Sequence, residues 1–313
     1  MTTKMKAQTG KLKNTVCAFA LLAALSLPYS GAYAANSNAG ADKTATQVEQ
    51  SKQDQTAEKR KQTLSEAIDA IDDTIAALKA LDAKNSKLAL DNLKKATGKL
   101  EIILARDPGL ALAPANVSAA TYDLLAGLDD VKKVRREVED LIDDGHLQEA
   151  RRIMAHLASE TVISTSNIPL ATYPLAIKDA AKLIDEGKTE EAKVVLQGAL
   201  NTIVVTERVM PLPVVKAQAF LKQAESLAEN KERKPEQSKE MEELLTAAET
   251  EIKFAQELGY GQKEDFEHFY DEITEIRKKT SDGKSGMGFF EKIKGFMSSM
   301  TESSQSNKTA RKE

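Results

Sequence analysis

Three histidines, several carboxylate pairs and two short loops are the features of this 313-residue chain whose residue types and spacing could do chemistry. His146 sits at a turn between helical segments, His156 follows ten residues on, and His268 is far from both. None has a second His or Cys at the spacing a metal ligand set requires, so surface or half-buried structural roles are expected. Asp72-Asp73, Asp129-Asp130 and Asp143-Asp144 offer oxygen donors to a cation. Residues adjacent in sequence point about 100° apart on a helix, so each pair reads as a solvated acidic face. The stretch "GKSG" from Gly283 imitates the end of a phosphate loop, but the glycine needed five residues earlier is Lys278 and no strand precedes it. Ser281 and Lys284 fit the S-x-x-K of acyl-serine enzymes without the companion motifs. The sequence therefore nominates no catalytic residue, no cofactor and no metal site.

The compartment follows from the first residues. Lys4, Lys6, Lys11 and Lys13 precede "TVCAFALLAALSL", an apolar stretch short for a membrane span, and Ala32-Tyr33-Ala34 is a small-x-small cleavage site. Residues 1–34 are expected to be a signal peptide cleaved near Ala34, placing the mature chain in the periplasm. The single cysteine, Cys17, lies inside that stretch, so cleavage leaves no thiol, as suits an oxidising compartment. Without the four lysines, 40 basic residues face 48 acidic ones. That balance argues against nucleic acid as a partner.

Residues 35–58 are mostly Asn, Ser, Gln, Thr and Lys, with almost nothing to bury, and are expected to be a disordered leader. Helical periodicity starts near Thr63: Leu64, Ile68, Ile71, Ile75 and Leu78 fall on one stripe. An internal repeat then organises the chain, because "LIDDGHLQEA" from Leu141 and "LIDEGKTEEA" from Leu183 agree at six of ten positions with an offset of 42. Gly145 and Gly187 stand where a left-handed residue closes a helix, so each copy predicts an αα-hairpin.

The same offset carries Ile168-Pro169-Leu170 onto Met210-Pro211-Leu212. Proline lacks an amide proton and forbids the preceding turn from staying helical, so each "PL" marks a helix boundary. Pro174 and Pro213 then open the following helices, and "SNIPLATYP" and "RVMPLP" are expected to be short extended connectors. The best β candidate, "TIVVTERV", fits equally well as a helix end. The expected fold is all-α: antiparallel helical hairpins with Pro-marked junctions forming a bundle, with an open solenoid as the alternative. A sheet anywhere in 205–220 contradicts it. The helical body is placed at 59–260, a terminal helix and linker at 261–283, an amphipathic basic helix at 284–300 and a disordered tail at 301–313.

Two apolar constellations stand out. Ile168, Leu170, Tyr173, Met210 and Leu212 could line a crevice between hairpins that accepts a small amphiphile or an unfolded segment, against ordinary core packing. In "GMGFFEKIKGFMSSM", Phe289, Phe290, Ile293, Phe296, Met297 and Met300 form one apolar face flanked by Lys292 and Lys294. From Arg277 to Glu313 nine basic residues face four acidic ones, so this segment could lie on an anionic membrane surface or dock onto protein.

The stretch from Ala176 to Leu227, with its Gly187 turn, its Glu191-Ala192 helix and its Met210-Pro211-Leu212 junction, resembles the YfdX family of exported bacterial helical proteins. A weaker likeness runs from Leu64 to Ile252. The resemblance implies a periplasmic, mostly helical protein of stress or acid-resistance contexts without an assigned activity, and it carries over no catalytic residue. The expected function is non-enzymatic: binding or protection of protein clients or small amphiphiles, with self-association through apolar faces. A peripheral membrane scaffold using the C-terminal helix is the alternative.

Overall fold

The computed structural model describes residues 38–306, with side chains from Lys43 to Ser298 apart from Asp282. The expected signal peptide and residues 307–313 lie outside this range. The chain runs α1 (Asn38–Lys61), α2 (Ser65–Asp82), α3 (Ser86–Arg106), β1 (Leu112–Tyr122), α4 (Leu128–Asp143) and α5 (Leu147–Met154). It continues through β2 (Glu160–Pro169), α6 (Tyr173–Asp185), α7 (Thr189–Asn201), β3 (Val204–Pro211), α8 (Leu212–Glu229), α9 (Pro235–Glu257), α10 (Lys263–Thr280) and α11 (Glu291–Ser306).

The molecule is mostly helical, but the all-α expectation is corrected: β1, β2 and β3 form a three-stranded antiparallel sheet in that order. The repeating unit is therefore two helices and a strand, used three times from α2 to β3. The "SNIPL" and "RVMPL" connectors are extended as expected, but they are the ends of paired strands. Each strand's partner comes from the neighbouring unit, with Asn167 opposite Val204 and Thr161 opposite Met210. A pairing that distant leaves no mark on local periodicity. Pro169 and Pro211 end their strands because they have no amide to donate. On the outer strand β1, the register shifts between Pro114 and Asn116, a bulge of the kind edge strands tolerate.

The two repeated turns close alike. Gly145 and Gly187 have φ of 79° and 76°, a conformation that favours glycine. The backbone N–H of His146 donates to the Leu141 carbonyl at 2.7 Å, and that of Lys188 to the Leu183 carbonyl at 2.8 Å. These are the same bond at the offset of 42, so residues that far apart occupy equivalent places on the two hairpins.

Apolar side chains collect into two cores. One joins α2, α3, the start of β1, the end of β2, α6 and α7 around Leu93, Leu100, Tyr173, Ile177 and Leu196. The other joins α8, α9, α10 and α11 around Leu245, Ile252, Phe269 and Phe290. The disordered leader is also corrected over its described part: residues from Asn38 onward form α1, which packs on α8 and β1. Thr44 and Thr56 are buried there, and Gln223 donates to the Thr44 hydroxyl at 3.0 Å. Neighbouring helices give a polar helix partners that its composition does not advertise.

Candidate binding surface

The five junction residues do not line one crevice. Ile168, Leu170, Tyr173, Met210 and Leu212 are each at most 5% exposed. Because β2 and β3 are antiparallel, Met210 faces Thr161 at one end of the sheet, while Ile168 lies at the other. The seven residue steps from Thr161 to Ile168 separate them by roughly 23 Å at ~3.3 Å per residue. Ile168, Leu170 and Tyr173 belong to the first core, where burial pushes the Tyr173 phenol up to about 12. All five side chains are buried within the fold.

The C-terminal apolar face is likewise occupied. Helix α11 starts at Glu291 rather than 284 and extends to Ser306, so residues 301–306, expected in the tail, are helical. Phe290, Ile293 and Met297 are buried in the second core. Phe289 is half-buried, with the Lys279 ammonium 5.9 Å from its ring centroid, and Phe296 stacks on His268 with centroids 5.0 Å apart. Lys292 reaches Glu272 at 3.4 Å, and Lys294 reaches Glu225 at 2.7 Å. The hydrogen bond to Glu225 holds the Lys294 ammonium above its usual range. From Phe289 to Met297 this face packs on its own chain; the Met300 side chain lies outside the described ones. A cleft of 330 Å³ remains between α8 and α11, floored by Leu221, Phe290 and Met297.

The histidines stay apart. His146 is exposed, its Nδ1 3.9 Å from Glu149; His156 is exposed too. Among the described residues no group of three or more His, Cys, Asp or Glu side chains could hold a metal ion.

Sequence reasoning missed a polar cluster where three elements meet. The Asp123 carboxylate, just after β1, accepts from the Ser159 hydroxyl at 3.1 Å and from the Lys216 ammonium of α8 at 3.3 Å. The Tyr260 hydroxyl accepts the Ser159 backbone N–H at 3.0 Å. Beside them on α9 stands Glu251, whose pKa burial pushes up to about 7, with Lys216 pulling it down and Asp123 adding to the rise. Local pattern gives no hint of this, since Glu251 is one of several glutamates along α9.

The largest departure from expectation is the α4–α5 hairpin. Both helices are strongly amphipathic, yet only Val131, Val138 and Ala150 are buried. Ile142, Leu147 and Met154 are exposed, together with Tyr122 and Leu125 on the approach to α4. In the second copy, α6–α7, the residues 42 further on from Ile142 and Met154 are Ile184 and Leu196, at 5% and 0% exposure. Ile142 and Met154 stand at 42% and 44%. The difference is cover: α2 and α3 pack on α6–α7, whereas α4–α5 is supported through α4 against α9. There Arg135 bridges Glu139 at 2.9 Å and Glu257 at 2.8 Å. The sequence does hold one signal of this: Arg135 takes the place of the buried Ile177, announcing a less dry environment.

Successive helix–helix–strand units whose strands build a small antiparallel meander define a mostly helical repeat protein, extended at its C-terminal side by a four-helix assembly. Residues 70–209 match the model of the YfdX protein family. The match spans α2 to β3, the three repeating units, and leaves α8 to α11 beyond it. Among solved structures, that of Salmonella Typhi YfdX is similar at 15% identity and a TM-score of 0.34, covering 48% of this chain and 93% of that one. A comparison with curated proteins gives no match.

Proposed function

We propose that this chain is an exported, non-enzymatic binding protein that shields exposed segments of other polypeptides at the open α4–α5 hairpin. The stress setting comes from the family resemblance. The observation that carries the reading is the exposure of Ile142 and Met154 where their counterparts in the second repeat are buried. Apolar side chains that a repeat elsewhere keeps dry are open to water here, and exposed apolar surface favours association. Open depressions flank it, one bounded by Gly145, His146 and Arg152, another by Lys133, Arg136 and Asp140, giving the polar rim common at protein interfaces.

Light scattering from a thermally unfolding client, with and without the mature chain, tests this. The parent is expected to suppress aggregation, and a variant carrying Ile142→Ser, Leu147→Ser and Met154→Ser to lose most of that effect. Equal suppression by the variant, with unchanged helical circular dichroism, contradicts the reading.

A further inference from the structure

The covered repeat indicates what kind of partner fits the uncovered one. Two ion pairs join the covering helices to α6–α7: Lys178 to Glu101 of α3 at 2.6 Å, and Lys193 to Asp82 of α2 at 3.0 Å. At the offset of 42, Lys178 corresponds to Arg136 and Lys193 to Arg151. Both positions keep a cation in the open copy. Among the described residues neither arginine enters an ion pair; Arg151 donates to Gln148 on its own helix at 3.3 Å. The covering pair contributes small residues to the core it shares with α6–α7: Ala67, Ala70 and Ala77 on α2 with Ala89 and Ala96 on α3, all fully buried. So the open hairpin retains both halves of a docking pattern, exposed apolar residues at Ile142 and Met154 and two cations on the same two helices.

We propose that the α4–α5 hairpin docks a pair of amphipathic helices from another polypeptide, with a small apolar contact face and carboxylates at the positions that meet Arg136 and Arg151. The inference rests on the binding reading above and specifies its partner. An extended or basic segment lacks the complement: it offers neither the ridge that fits between two helices nor the acids. Guanidinium groups suit carboxylates well, since they form paired hydrogen bonds that a lysine cannot.

The probe is a labelled synthetic peptide spanning 64–107, titrated against the full mature chain by fluorescence anisotropy. Saturable binding is expected, weakened at least tenfold by Arg136→Glu with Arg151→Glu, and regained when the peptide carries Asp82→Lys and Glu101→Lys. The charge exchange separates this face from α6–α7, which the substitutions leave untouched. Binding that ignores the arginine reversals, or no binding, overturns the proposal. If client protection still depends on Ile142 and Met154 in that case, the binding reading stands and only the partner class fails. A dimer of the chain that dissociates on arginine reversal, seen by light scattering after size exclusion, assigns the face to a second copy and also overturns it.

Discussion

The hairpins α4–α5 and α6–α7 are copies of one sequence pattern, closed by the same glycine turn and the same backbone bond, yet one lies in a core and the other at the surface. The difference resides in neighbours rather than in the copies. An amphipathic hairpin prescribes which face seeks cover; whether cover arrives depends on what else the chain supplies. Here α2–α3 covers one copy, and the other keeps Ile142 and Met154 open to solvent.

The contrast makes unequal predictions for matched substitutions. Leu196→Ala, in the covered copy, is expected to cost about 2–5 kcal/mol through lost burial and a residual cavity. Met154→Ala, its counterpart, is expected to change stability by about 0.5 kcal/mol or less, as surface substitutions do. Urea unfolding midpoints of the two variants measure the gap, and equal losses break the comparison.

A smaller effect concerns the ground on which the open hairpin stands. Helix α9, which supports α4, carries Glu251 with a folded pKa of about 7, above the usual carboxylate range because of burial. A carboxyl that holds its proton more tightly folded than unfolded stabilises the fold below its unfolded pKa, and that stability is lost as pH rises through about 7. Unfolding free energy is therefore expected to fall by about 1–3 kcal/mol between roughly pH 4.5 and 7 on this group's account. Glu251→Gln should flatten that decline; an unchanged slope shows that other groups set it.

The smallest effect belongs to the charges. Lys178→Glu breaks an exposed ion pair and is expected to cost about 0.2–1 kcal/mol, while Arg136→Glu, which breaks none, is expected to cost less. A larger loss at Arg136 than at Lys178 indicates that the open hairpin is already covered.

Much of this arrangement is legible from the residues. The repeat, the glycine turns and the helix openings at Pro174 and Pro213 follow from local backbone chemistry, and the apolar face of α11 follows from periodicity. The sheet does not. Strand β2 reads "ETVISTSNIP", in which polar and apolar residues do not alternate as a half-buried strand's do, and its identity comes from partners in other units: Thr161 opposite Met210 on one side, and its hydroxyl 3.0 Å from that of Thr121 on the other. The junction residues stand out as apolar in the sequence, but only antiparallel pairing decides that Ile168 and Met210 lie at opposite ends of the sheet. Nor could the shared Leu-Ile-Asp motif reveal that Ile142 is open and Ile184 closed, because exposure is a property of the whole packing.

The most direct measurement is thiol labelling of single cysteines placed at the matched positions Met154 and Leu196 in a background carrying Cys17→Ser. Met154→Cys is expected to react at the rate of a small free thiol, and Leu196→Cys at least a hundredfold more slowly, limited by opening of the core. Equal rates at the two positions contradict the claim that one repeat is covered and its copy left open.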